Sequence, residues 1–211
     1  MDSPRQTLTK GITQQNTRTF TDDVENSNKN RLSTHVKIER NEEGDAFVCF
    51  YSSKSVFSNH HLSSFVIHDV EFNCSEQYFI YKKARTFKDK KAARKILKET
   101  NPVKQKQLGR QVQNFDKVIW DEKGYHYMKK ALKAKFGQSR QMKRILLSTE
   151  DATLVECAPR DRLWGIGYGI DNPNRLNKAS WRGKNLLGKA LMEVRASLRR
   201  SDRKKRSTDK S

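Results

Sequence analysis

Glu76 and Lys83 stand seven residues apart in a stretch, Ser75 to Phe87, whose pattern predicts a helix. That spacing sets both near one face, with Phe79 and Ile80 between them. A carboxylate held beside a cation is suited to acid, base or charge-stabilising work. A plainer role is open too, because Asn73 as N-cap with Glu76 three residues on resembles a capping box. A second acid, Asp161, precedes Trp164, Gly165 and Gly167, where glycines allow a tight turn or a close backbone approach to a ligand. Asp161 can equally be a turn former. Farther on, Arg182-Gly183-Lys184-Asn185 leads into an amphipathic helix with Leu187, Leu191, Val194 and Leu198 on one stripe. Free N–H groups, the positive dipole end and two cations at that helix start suit a phosphate or pyrophosphate. An ordinary loop and capped helix is the alternative.

These residues need elements to hold them. Helices are expected over Ser75–Phe87, Lys90–Glu99, Pro102–Val112, Asp116–Phe136 and Gln138–Ser148, with a last one ending near Arg200. Pro102 after Asn101 and the acid at Asp116 mark two of the starts. In the long helix Val118, Tyr125, Met128, Leu132 and Phe136 share one sector, the expected core stripe. Trp120 lies about 200° around from Val118 at the helical step, on a face with Tyr127 and Ala131. That face either meets a second layer or stacks against a flat ring. Strand candidates are few: Ala46–Tyr51, Val66–Phe72 and Thr153–Cys157. The expected class is therefore mainly α with a small β element (α+β), in a single compact domain.

Composition bounds the rest. Residues 1–45 are polar and lack a sustained apolar period, which predicts a disordered N-terminal tail, followed by a domain over 46–200 and a basic C-terminal tail over 201–211. Only 34% of residues are hydrophobic. No apolar run nears a membrane-spanning length of about 18 residues, and the polar start carries no secretory leader pattern. The expectation is a soluble, intracellular protein without a membrane partner, cytoplasmic or nuclear, with Arg203-Lys204-Lys205-Arg206 either a nuclear address or a solvated cluster. Net charge is +20, and it is unevenly placed: 7 Lys/Arg against 8 Asp/Glu in residues 1–45, 8 against 2 in 195–211, and 29 against 14 between. An excess so concentrated in the folded part favours a polyanionic or phosphorylated partner, nucleic acid included. The three cysteines and five histidines form no metal-ligand spacing, so no metal and no cofactor are expected. Phosphate-loop and nucleophile-elbow motifs are absent.

At four blocks the chain resembles the NADAR superfamily, whose bacterial reference is YbiA-like. The blocks are Phe57-Ser58-Asn59; Ser75-Glu76-Gln77-Tyr78-Phe79 continuing to Lys83-Ala84; Asp161 through Trp164-Gly165; and Gly183-Lys184-Asn185-Leu186-Leu187-Gly188. Trp120, followed by Ala131 to Phe136, falls where the family places a tryptophan in its long helix. The likeness spans about residues 47–198 in order, departing from the usual pattern at Gln77 and Ile80. It implies a YbiA-like fold and N-glycosidase chemistry on a ribosyl–base bond. The substrate it implies is ADP-ribosylated guanine, free or in DNA, or a phosphoribosylamino-pyrimidine of riboflavin synthesis. A non-catalytic module binding ADP-ribose, NAD or nucleic acid is the third reading. On this resemblance Glu76 meets the sugar or water and Asp161 orients. Trp120 and Trp164 stack on the base; beyond the four residues carried over, Asn59, Arg182, Lys184 and Asn185 are expected to meet ribose or phosphate, and Lys83 to bind phosphate or hold Glu76 ionised.

Overall fold

A computed structural model describes residues 36–208. Its strands are β1 (Glu39–Arg40), β2 (Ala46–Phe50), β3 (Phe65–Ile67), β4 (Val70–Phe72) and β5 (Thr153–Glu156). Its helices are α1 (Ser75–Thr86), α2 (Lys90–Lys98), α3 (Pro102–Arg110), α4 (Lys117–Gln138), α5 (Arg140–Leu147) and α6 (Leu186–Thr208). The mainly α class with a small β element is what the chain adopts. The expected disorder of residues 1–35 lies outside the described residues. Residues 36–45 join the fold, however: β1 pairs with β2, and Val36 and Ile38 pack on the core. Polarity hid them, since an edge strand needs only one apolar face.

The positioning device is the pairing of β2 with β5, which is parallel, with Phe47 opposite Thr153 and Phe50 opposite Glu156. Both strands end at the same edge, so the loops after Phe50 and after Glu156 emerge side by side. Helix α6 lies against β5 and α4, burying Leu187, Leu191, Val194 and Leu198 as the stripe predicts. It runs on through Thr208, past the expected end near Arg200, and so carries part of the expected tail. Gly188 allows the close approach to β5: a Cβ there would lie 2.0 Å from the Leu154 carbonyl oxygen. Gly188→Ala is expected to cost about 3 kcal/mol, the upper part of the overpacking range, readable as a lower urea midpoint with unchanged slope.

Helix α4 is buried on two sides, by Met128, Leu132 and Phe136 and also by Ala131 and Lys135. The single core stripe expected for it holds only in part, because Val118 is 70% exposed near the helix start. The strand expected at Val66–Phe72 is a hairpin, β3 and β4, turned at His68 and Asp69 with φ of 51° and 59°. Two successive positive φ values make this a tight hairpin turn of the kind usually signalled by Asn-Gly. His-Asp carries no such signal.

Candidate active site

Helix α1 is capped one residue later than expected. Cys74 is the N-cap, its sulfur accepting from the Gln77 N–H, while Gln77 Oε1 accepts from the Asn73 N–H at 2.7 Å. Gln77 therefore does the reciprocal work that a capping box assigns to its acid, and Asn73 instead donates to the Thr100 carbonyl. Glu76 is released from capping and points inward, 3% exposed. One of its oxygens accepts from Asn59 Nδ2 at 2.5 Å, and its own N–H donates to the Asn59 carbonyl at 2.9 Å. Asn59 thus clamps the acid at both ends. His60 Nε2 is 3.8 Å from the same oxygen, but burial and the nearby Lys106 charge push this imidazole down to about 4, so it is neutral.

Beside Glu76 opens a cleft of 570 Å³ at the shared edge of β2 and β5, lined by His60, Lys106, Arg110, Glu156, Asp161 and Trp164 among others. A ligand site outside the carboxyl ends of parallel strands is the expected place for one. Glu156, last residue of β5, is 8% exposed, and its Oε2 has no hydrogen-bond partner. Lys106 lines the cleft, and its charge acts on Glu76, Glu156 and His60 alike. Burial pushes the Glu76 carboxyl up to about 7, with Lys106 and Asn59 pulling against it. Burial, helped by the Asp161 charge, pushes Glu156 up to about 8.

Two tryptophans 44 residues apart meet on one ring. Trp120 and Trp164 lie 4.9 and 5.3 Å from Phe79 of α1, centroid to centroid. Trp164 faces the cleft, stacked near Tyr125. Trp120 packs behind, with Phe79, Phe87 and Tyr127, which is the second layer. Asp161 lines the cleft, and its Oδ1 accepts from the N–H groups of Leu163 and Trp164 at 3.0 and 2.7 Å. It is a turn former that also sets the tryptophan.

The remaining expected phosphate ligands are placed otherwise. Lys83 donates to the Gly109 carbonyl at 2.8 Å and covers the Phe115 ring, a cation at the C-terminal end of α3. At the start of α6, the N–H groups of Asn185, Leu186 and Leu187 donate to the carbonyls of Gly165, Leu163 and Trp164. Those donors are spent on the loop that carries Trp164, not left free for an anion. Asn185 is buried, its amide joining the Glu156 N–H and the Leu154 carbonyl. Arg182 stacks on Tyr168, and it and Lys184 are exposed on that surface. The cations that do line the cleft are Lys106, Arg110 and Arg160. Lys106 and Arg110 share a face of α3 at i and i+4, a pattern invisible among 44 basic residues. Glu156 had a fainter signal, a charge ending the apolar run Thr153-Leu154-Val155.

The sequence profile of the NADAR domain matches residues 39–199. The chain belongs to the NADAR family. Among its NADAR relatives, Protein irg-1 of Caenorhabditis elegans is 38% identical, over 78% of this chain and 85% of its own. N-glycosidase R617 of Acanthamoeba polyphaga mimivirus is also 38% identical, over 59% and 74%. N-glycosidase YbiA of Escherichia coli is 31% identical, over 73% and 89%. The NMR structure of E. coli YbiA superposes with a TM-score of 0.63 at 28% identity, covering 82% of this chain and 92% of that one. Kinship with proteins named for N-glycosidase activity puts this NADAR chain among the N-glycosyl hydrolases.

The two raised carboxyls of this NADAR cleft carry a stability cost with a definite sign. In the folded chain Glu76 and Glu156 keep their protons from about 4.5 up to about 7 and about 8. The unfolded chain has already lost its own across that window, so stability falls as pH rises through it. Glu156→Gln removes one of the two ionisations. It is expected to melt about 5 °C above wild type at pH 8.5 and with little difference at pH 4.5, the shift that follows from one to two kcal/mol in a chain this size. Differential scanning calorimetry at the two pH values checks it.

Proposed function

We propose that the chain is an N-glycosidase that removes ADP-ribose from guanine, as a nucleotide or in DNA. The observation that carries the reading is the Glu76 carboxylate, buried, clamped by Asn59 and set beside a cleft with cationic walls. Breaking a ribosyl C–N bond builds positive charge on the sugar, and a fixed carboxylate in a water-poor site lowers that barrier. O-glycoside hydrolysis makes the same use of paired carboxyls. Lys106, Arg110 and Arg160 offer charge to a diphosphate, and Trp164 offers a face for a base. The excess of 29 basic over 14 acidic residues between 46 and 194 suits a substrate carried on a polyanion.

The second reading, a phosphoribosylamino-pyrimidine hydrolase, draws on the same three cations, since one phosphate needs no more. A module that only binds ADP-ribose, NAD or nucleic acid is disfavoured by the two buried carboxyls, whose burial costs stability and adds no attraction for an anion. Turnover against salt separates the readings. ADP-ribose release from a short ADP-ribosylated DNA strand should fall steeply between about 50 and 200 mM salt, because several phosphate contacts are lost. Pyrimidine release from the small substrate should change little. No release from the DNA strand at any salt, with turnover of the small substrate, would replace the first reading by the second.

A further inference from the structure

We infer that Glu156, resting on the N-glycosidase reading, is the group that protonates the departing base. Its place is fixed by the main chain: its N–H donates to Asn185 Oδ1 at 3.1 Å, and its carbonyl accepts from Ala158 and Ile166, each at 3.0 Å. The side chain projects from that anchor into the cleft. Buried polar atoms almost always have a partner. Among the described residues only Ser75 Oγ, Glu156 Oε2 and Arg175 Nε are buried side-chain atoms without one, and of these only Glu156 lines the cleft with Asp161 and Trp164.

Asp161 is poorly placed for this work, because its Oδ1 is committed to two backbone donors. The titratable and charged groups lining the cleft with Glu156 are Lys106 and Arg110 from α3, Arg160 and Asp161 from the following loop, and the neutral His60. Burial is the largest influence on Glu156 and Asp161 adds to it, so the carboxyl holds its proton at neutral pH against the pull of Lys106. Glu76, clamped by Asn59, ionises first.

The step balances as a hydrolysis. The ribosyl C1–N bond breaks, its electron pair goes to the base nitrogen, and the Glu156 proton follows, so the base leaves neutral. Water adds to C1 and gives a proton to Glu76. The second carboxyl then returns a proton through solvent to the first, and no oxidant or cofactor is consumed.

The test is the pH dependence of kcat on whichever glycoside the wild type turns over, compared with Glu156→Gln, Glu156→Asp and Asp161→Asn. Wild type should give a bell, with an acid limb from Glu76 near 7 and an alkaline limb from Glu156 near 8. Glu156→Gln should lose about a hundredfold in kcat, little in KM, and the alkaline limb with it. Glu156→Asp, which keeps the acid, should keep the limb at about a tenth of the rate. Asp161→Asn should move the limb to lower pH without removing it. An alkaline limb that persists in Glu156→Gln, or one abolished by Asp161→Asn instead, overturns the assignment while the N-glycosidase reading stands. Failure of the wild type to release a base or ADP-ribose from any of the glycosides overturns that reading and the assignment together.

Discussion

Glu76→Gln should reduce ADP-ribose release from ADP-ribosylated guanine by about a thousandfold, the size of effect expected when a fixed charge facing a developing cation is removed. The amide is isosteric, and its oxygen can still accept from Asn59 Nδ2, so the clamp and the α1 cap survive. What disappears is the negative charge and the ability to take a proton from water. Because burial is the chief influence on this carboxyl, the neutral side chain should also fold at least as well as the acid. Loss of kcat in a variant that melts no lower than wild type is the diagnostic pair. Full turnover in a folded Glu76→Gln protein would remove this residue from the chemistry.

Lys135→Met should lower stability by about 4 kcal/mol, within the range for stranding buried polar groups. Lys135 is 1% exposed, and its Nζ donates to the carbonyls of Val56 and Ser58 at 2.7 and 2.9 Å. Burial pushes it down to about 7, so at neutral pH about half the molecules carry the charge, and both forms donate N–H bonds. Methionine fills the volume but leaves two carbonyls without a donor. Those carbonyls belong to the turn that delivers Asn59 to Glu76, so turnover in whatever fraction folds should fall as well. The lysine also has its own pH signature. The unfolded chain binds its proton up to about 10.5 and the folded one only to about 7, so Lys135 makes stability rise with pH across that window. Urea titrations at pH 7 and pH 9.5 should show the wild type's advantage over the methionine variant widening at the higher pH.

Much of the helical scaffold was legible because its signals are local. Apolar stripes, Pro102 after Asn101, and Asp116 as a cap mark their helices without help from the rest of the chain. The α6 stripe is buried as its spacing foretells. Of the expected site residues, the structure sets Asp161 and Trp164 in the lining of one cleft and Glu76 near it, within reach of the Asp161 charge. The site was illegible wherever function depends on which strands lie side by side. Glu156 is singled out by β5 running parallel to β2 and ending at a cleft, a pairing that no local pattern encodes. Lys106 and Arg110 could not be told from the surface lysines of α2 until α3 was placed over the acids. The segment Gly183–Asn185 misled for a related reason. A glycine and cations before a helix look alike whether the N–H groups await an anion or have been taken by a neighbouring loop.

The parallel pairing of β2 with β5 joins positions about a hundred residues apart, Phe47 with Thr153. Closing so long a loop is slow and gives no return until the far strand arrives. Helices α1 to α5 all lie inside that loop, so they can form early, yet the edge that hosts the acids does not exist before β5 docks. Asn185, which ties α6 to the Glu156 and Leu154 backbone, comes later still. During synthesis, then, the residues of the reactive centre cannot be brought together before the chain has been made through Asn185. The centre needs both β5 and Asn185, so a chain stopped before Asn185 should be inert.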